Sequence, residues 1–413
     1  MPPTDRSGAP SNPFIHGRAN RCGRLPASAL PPATASAAPS SRGARGRRPR
    51  AAPDEIARIA PGSFQWRDGE RTIHFGRDAL DRARPRLGEG YTLLTTPRAA
   101  AMAPALAERA GIVHEVAPGR VDELAGDLLD VVDPGELIVA LGGGRVIDTA
   151  KALAAARPPG ERPRVAAIPT TLSAAEMTVV HRRAAGADTS WPGARPAIVI
   201  NDPALSASQP LPELAASAAN ALAHAAEGPA TVRSSPIPAL AGREAARLIG
   251  VAYAGAGAGE PDDPDSRALA AFRSFHAGDA PTAGGAAEPD RDTLALAALL
   301  SGYTIDSAGY GLHHVLSQTL ARLAGVGHGP SNAVMLPHTL VALQQRGAIG
   351  AAALVALATD LARRAGASRL RDLGVDEATL DTCADAAAER AELDHTPPRA
   401  DRDELRALYA AAY

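Results

Sequence analysis

A short apolar run, Leu137-Ile138-Val139-Ala140-Leu141, leads straight into three consecutive glycines, Gly142, Gly143 and Gly144. A helical pattern follows, with Val146, Ile147, Ala150 and Leu153 at i, i+1, i+4 and i+7. A buried strand, a turn without side chains and an amphipathic helix, in that order, leave few folds open. The arrangement suits a phosphate: glycines let the backbone approach the anion, and the helix start supplies unbonded N–H groups and the positive end of the helix dipole. The same helix carries Asp148 and Lys151, and Lys151 is the only lysine in the chain. It reads as a compact cation beside a phosphate or ribose; a solvated helix face is the plainer alternative.

The segments around this unit alternate. Ser63 to Trp66 and Arg71 to Phe75 predict a hairpin around Asp68-Gly69. Strands are expected at Tyr91 to Thr96, Ile112 to Val116, Val165 to Ile168 and Ala197 to Ile200, with helices over Pro97 to Ala110 and Val121 to Val132. Strand and helix in turn predict a parallel sheet covered on both faces, an α/β domain over residues 61–210. The strand ending at Ile168 runs into Pro169-Thr170-Thr171-Leu172-Ser173-Ala174-Ala175-Glu176-Met177-Thr178. Hydroxyls and amides at a strand's carboxyl end are where open α/β sheets bind ligands, so Thr170, Thr171, Ser173 and Thr178 are candidates for cofactor binding. From 211 to 413 the chain is rich in alanine and poor in strand signals, which predicts an all-helical domain with a loop insertion at 255–290.

Charge is uneven. Residues 1–50 hold nine arginines and one aspartate, while the whole chain carries −2, so the remainder carries −10. Residues 1–60, rich in Pro, Ala, Ser, Gly and Arg, read as a disordered tail, with a nucleic-acid-binding tail as the alternative. Beyond them no basic footprint for nucleic acid remains. Cys22 and Cys383 are the only cysteines, which excludes a disulfide framework and a cysteine metal site and suits a reducing cytoplasm. No apolar run has transmembrane length.

The helical part carries a second constellation. Asn220, His224 and Glu227 stand at i, i+4 and i+7, so one helix face holds all three. His314 follows Gly311-Leu312-His313, and His328 lies in Gly325-Val326-Gly327-His328-Gly329-Pro330, ahead of Asn332 and His338. Imidazoles on three separate segments of a helical domain can converge on one site.

Taken together, four stretches resemble the iron-containing (group III) alcohol dehydrogenase family over about Gly62 to the C-terminus. They are Gly142-Gly143-Gly144 with Asp148 and Lys151, Pro169 to Thr178, Asn220 to Glu227, and His314 to His338. The resemblance implies a Rossmann-like N-terminal domain, an all-α C-terminal domain in a dehydroquinate synthase-like architecture, and hydride transfer between them. Asn220-Ala-Leu-Ala-His224-Ala, the length of the 169–178 segment and Gly311-Leu312-His313-His314 are similar to the maleylacetate reductase branch. That branch implies NADH- or NADPH-dependent reduction of maleylacetate to 3-oxoadipate, or of a related oxo acid, in aromatic compound catabolism.

Metal-dependent members have aspartate where this chain has Asn220, and a neutral amide is a poor anchor for a divalent cation. The resemblance therefore implies no required metal. Iron or zinc held by Asn220, His224, His314 and His328 is the alternative, in a metal-dependent alcohol dehydrogenase. His224, His314 and His328 are implied to polarise the substrate oxygen, with Gln318 standing where the family repeats a histidine. Arg145, Arg182, Arg183 and Arg195 are candidates to hold a dianionic substrate. Thr96, in place of the aspartate of NAD-preferring members, implies that NADPH is accepted. Arg145 and Gln318 depart from the family pattern and leave an inactive nucleotide-binding paralogue as a third reading. A homodimer is implied by habit of the family, with no nucleic-acid or membrane partner.

Overall fold

The structure is a computed structural model that describes residues 62–132, 135–179, 182–188, 190–254, 288–346 and 352–413. The tail at 1–60 and all but the last three residues of the insertion at 255–290 lie outside the described residues.

The hairpin forms as its turn predicts. β1 (Phe64–Asp68) pairs antiparallel with β2 (Arg71–Phe75), with Asp68 opposite Arg71 and Gly69 at φ 60 in the turn. β3 (Thr92–Thr95), β4 (Ile112–Glu115), β5 (Leu137–Gly142), β6 (Arg164–Pro169) and β7 (Ile198–Asn201) add parallel neighbours, giving the order β1-β2-β7-β6-β5-β3-β4. After β3 the chain first steps outward to β4 and then crosses back to β5 on the other side. That reversal makes a switch point between β3 and β5, where open sheets of this kind leave a crevice at the strands' carboxyl ends.

Strict alternation along the strands explains the two covered faces. Leu94, Ile138, Ala140, Val165 and Ala167 point to one side and pack on α4 (Val121–Leu128) and α5 (Gly144–Ala155). Leu93, Val139, Leu141, Ala166 and Ile168 point to the other, against α1 (Ala79–Ala83), α2 (Pro97–Met102) and α3 (Pro104–Arg109). The single helix expected over Pro97 to Ala110 is broken in two. Ala103 leaves the helical region (φ −141, ψ 63), because a proline at 104 cannot continue the preceding turn but can start a new one. The helix expected to reach Val132 stops at Leu128.

Helices follow: α6 (Leu211–Glu227), α7 (Pro236–Ala254), α8 (Arg291–Ala308), α9 (Leu312–Leu323), α10 (His328–Gln345), α11 (Ala352–Arg364), α12 (Thr379–Ala388) and α13 (Arg402–Ala412). Among the described residues no strand follows β7. Asp290, the last residue of the expected insertion, caps α8, accepting from the Asp292 and Thr293 amides. One core cluster joins Ile73, Phe75 and Val199 of the sheet and Leu172 and Met177 of the loop after β6 to α6, α7, α8, α10 and α11. Sheet and helices therefore share a buried core on the β2/β7 side. No described helix is long and apolar enough to cross a membrane.

Candidate active site

The glycine turn sits at the switch point. β5 ends at Gly142, and α5 begins with Gly143 as its N-cap and no side chain capping it. An added Cβ would lie 3.1 Å from Thr171 at Gly143 and 3.0 Å from Ser173 at Gly144. Glycine is required there because the loop after β6 lies directly against the turn. The result is a helix start whose first amides have no side-chain cap, beside the hydroxyl-bearing residues Thr171 and Ser173, a surface that fits a pyrophosphate. Thr96 follows the neighbouring β3. Its Oγ1 accepts from the Ala99 amide at 3.3 Å and so caps α2.

Lys151 is not on a solvated face: it is 0% exposed. Its ammonium donates to the carbonyls of Ala175 (2.8 Å) and Thr178 (2.9 Å) and pairs with Asp148 at 2.6 Å. As placed, the amine ties α5 to the 173–178 loop and does not stand at the phosphate surface. The loop is fixed on its other side too. Arg71 donates to the Met177 carbonyl at 2.7 Å, and Gly302 of α8 lets Met177 and Ala174 approach. Asp306 accepts from the Val179 amide at 3.1 Å. Inside the loop, burial pushes the Glu176 carboxyl up to about 7, against the pull of Lys151 and Arg71.

Leu172 and Met177 carry the connection onward, because they share a core with Ala221, Leu222, Ala223, Ala225 and Ala226 of α6. The opposite stripe of α6 holds Asn220, His224 and Glu227, all buried. His224 stacks on His314 of α9, ring centres 4.7 Å apart and planes 13° from parallel. Glu227 sits 2.5 Å from His314 Nδ1 and accepts the backbone N–H of His313 at 2.6 Å. Burial raises the Glu227 carboxyl, and His313 and the α9 amides oppose the rise. Glu227 is a residue whose stripe position the sequence showed and whose task it did not.

His313 turns away from this pair into the core. Burial drives it down to about 3, so it is neutral. It contacts Asn332 Oδ1 at 2.9 Å through Nε2 and Thr339 Oγ1 at 2.7 Å through Nδ1. Asn332 also receives the Ser317 hydroxyl at 2.9 Å, and its amide nitrogen lies 3.0 Å from His328 Nε2. His224 and His314 thus meet directly. His328, at the exposed start of α10, joins them through Asn332 and His313.

Around the four side chains considered as metal ligands, His224 and His314 present ring faces to each other, Glu227 engages His314 Nδ1 and leaves Nε2 as the nitrogen that could meet an ion, and Asn332 engages His328 Nε2. Asn220 Oδ1 is buried without a hydrogen-bond partner. Among the described residues no three His, Cys, Asp or Glu side chains come together to hold an ion.

The expected substrate arginines are largely committed elsewhere. Arg182 pairs with Asp122, Arg183 donates to the Pro192 carbonyl, and Arg195 pairs with Asp306. Arg145 is exposed on the first turn of α5. Gln318, one turn beyond His314, accepts from Arg390 at 3.3 Å. No local sequence signal marks Arg390, which arrives from 72 residues away.

Dinucleotide turn, bridging loop and helical histidine cluster define a nicotinamide-dependent oxidoreductase of two-part architecture. The sequence model of the iron-containing alcohol dehydrogenase family matches residues 71–203. A maleylacetate reductase from Pseudomonas aeruginosa is 30% identical over 372 residues, covering 83% of this chain and 95% of that protein. A 1,3-propanediol dehydrogenase from Klebsiella pneumoniae is 26% identical over 320 residues, covering 67% and 76%. The crystal structure of maleylacetate reductase from Agrobacterium tumefaciens superposes with a TM-score of 0.63 at 27% identity, covering 85% of this chain and 97% of that one. The chain belongs to the iron-containing alcohol dehydrogenase family, and its similarity falls on the maleylacetate reductase branch.

Proposed function

We propose that the protein reduces maleylacetate to 3-oxoadipate, or a closely related oxo acid, with NADH or NADPH and without a required metal. The observation that carries this reading is one continuous unit. The glycine turn touches Thr171 and Ser173, the same loop packs on α6, and α6 stacks His224 on His314. Asn220 in place of a carboxylate favours chemistry run on imidazoles alone.

Bound NAD(P)H supplies the hydride, which goes to the carbon–carbon double bond conjugated to the oxo group. The chain's residues do the rest. The amides at the start of α5, with Thr170, Thr171, Ser173 and Thr178, hold the dinucleotide; Asp148 and Lys151 brace the loop that shapes this surface. His224 and His314 stabilise the negative charge that develops on the oxo oxygen as the hydride arrives. A proton then completes the saturated carbon. Glu227 fixes the His314 ring by Nδ1, so proton transfer by that imidazole runs through Nε2. Thr96 carries no charge to repel a 2′-phosphate, so both cofactors are accepted. The setting we infer is a cytoplasmic homodimer.

The test is oxidation of NADH and of NADPH with freshly prepared maleylacetate after treatment with EDTA. Turnover that survives chelation is expected. The likeness to 1,3-propanediol dehydrogenase favours a second reading, a metal-dependent alcohol dehydrogenase. No reaction with maleylacetate, but activity on an alcohol or aldehyde after adding iron or zinc, would establish that reading instead. Cofactor binding with no turnover of any oxo acid, restored by Gln318→His, would mark an inactive paralogue.

A further inference from the structure

A polar cluster outside the imidazole pair gathers along α9. Gln318 stands one turn beyond His314 on the helix, and Tyr310, just ahead of the helix, brings its ring 5.9 Å from that of His314. Arg390 is drawn to this line from the segment before α13. Its Nε and Nη2 contact Glu392 at 2.9 and 2.8 Å, and Nη2 also reaches Tyr310 Oη at 3.2 Å and Gln318 Oε1 at 3.3 Å. Tyr310 in turn donates to Glu392 at 3.0 Å. Arg390 Nη1 makes no hydrogen bond among the described residues, and the pair stays partly open to solvent, at 21% and 30% side-chain exposure.

We infer that Arg390 and Gln318 form the anchor for one carboxylate of the substrate. The inference rests on the reductase reading above and deepens it. A guanidinium held on one edge by a carboxylate and aimed by a second acceptor is pre-organised, so its open Nη1 edge binds an incoming carboxylate at little cost in side-chain order. Gln318 makes sense in this frame. Its carbonyl accepts from the guanidinium, whereas an imidazole that became charged would repel it. One helical turn, about 6 Å over four residues, separates the His314 and Gln318 levels. That is comparable with the separation between the oxo group and a terminal carboxylate in a six-carbon chain.

The test uses adipate and its neutral diamide, adipamide, as probes, measured calorimetrically on enzyme saturated with NAD+. Wild-type protein is expected to prefer adipate by about tenfold, the scale of one charge-assisted contact. Arg390→Ala abolishes the preference while adipamide binding is retained, and Arg390→Lys keeps part of it. If Arg390→Ala does not fold, Arg390→Gln serves the same purpose, since it keeps a donor for Glu392 and loses the Nη1 edge. A preference that persists without Arg390, or equal or absent binding of both probes to wild type, overturns the anchor. Loss of both probes alike in the variants also overturns it and points to a structural role. Adipate preference without any oxidation of NAD(P)H by maleylacetate would sink the reductase reading and leave the anchor standing.

Discussion

Replacing Glu176 by glutamine should change how stability depends on pH. The carboxyl is 1% exposed, its Oε2 finds no hydrogen-bond donor, and burial lifts it from 4.5 to about 7. The folded protein therefore holds this proton more tightly than the unfolded chain does. Its contribution is fully present below 4.5 and is lost as pH rises through about 7. The separation between the two values amounts to about 3 kcal/mol. Glutamine does not titrate, so the advantage of E176Q over wild type should grow by about 3 kcal/mol between about pH 4.5 and pH 8. Urea denaturation of both proteins at the two pH values measures this as a difference of differences. The subtraction is needed because His313 contributes the opposite slope. Its folded value lies near 3, so its contribution is present above 6.5 and is lost as pH falls toward 3. A stability gap between E176Q and wild type that stays constant across the window would refute the account of the loop, because it would mean that Glu176 is solvated or fully paired.

Two further changes probe the same loop from outside. In Gly302→Ala the new Cβ would fall 2.8 Å from Met177 and 2.9 Å from Ala174. A cost of about 1–3 kcal/mol in stability is expected, together with weaker NADH binding by fluorescence titration, since the displaced loop shapes the dinucleotide surface. Removing the buried amine in Lys151→Met leaves the Ala175 and Thr178 carbonyls without their donor and Asp148 without its partner. A loss near the lower end of about 3–5 kcal/mol should appear in denaturant melts, because Asp148 is 25% exposed and water can replace part of the pairing.

The fold was legible because its signals are local. Alternation along the strands, glycines between a strand and a helix, and a heptad stripe on α6 each follow from residues close in sequence. The break at Ala103 was in principle legible as well, since Pro104 stands in the middle of the expected helix. The site was legible in its parts and not in their assembly. Asn220, His224 and Glu227 share a face by spacing alone, yet nothing in spacing assigns Glu227 to His314, 87 residues on. Lys151 shows the same limit. Its rarity marked it, but whether an amine at that helix position points out or in depends on the carbonyls of Ala175 and Thr178, which a later loop brings to it. Arg390 had no mark at all, because its partners Gln318 and Tyr310 are set by packing between α9 and the segment before α13.

Asn220 decides between two chemistries, and one substitution can ask it directly. Its Oδ1 is buried and meets no donor. A neutral amide bears that more cheaply than a carboxylate, whose charge in the same place would have nothing to balance it. Asn220→Asp should therefore cost a few kcal/mol, on the order of 3, at about pH 8, and less at about pH 5, where the acid takes up a proton and becomes neutral. Zinc is the discriminating addition. If the histidines were waiting for an ion, a new carboxylate beside them would complete the site, and equimolar zinc would return the lost stability. The placement argues otherwise: His328 Nε2 is held by Asn332, and His328 meets the other two imidazoles through Asn332 and His313. Zinc must rearrange that network before it gathers a third imidazole, so thermal melts of the variant should be unmoved by it. Recovery on adding zinc would show that the rings repack around a cation, and would move the chain to the metal-dependent side of its family.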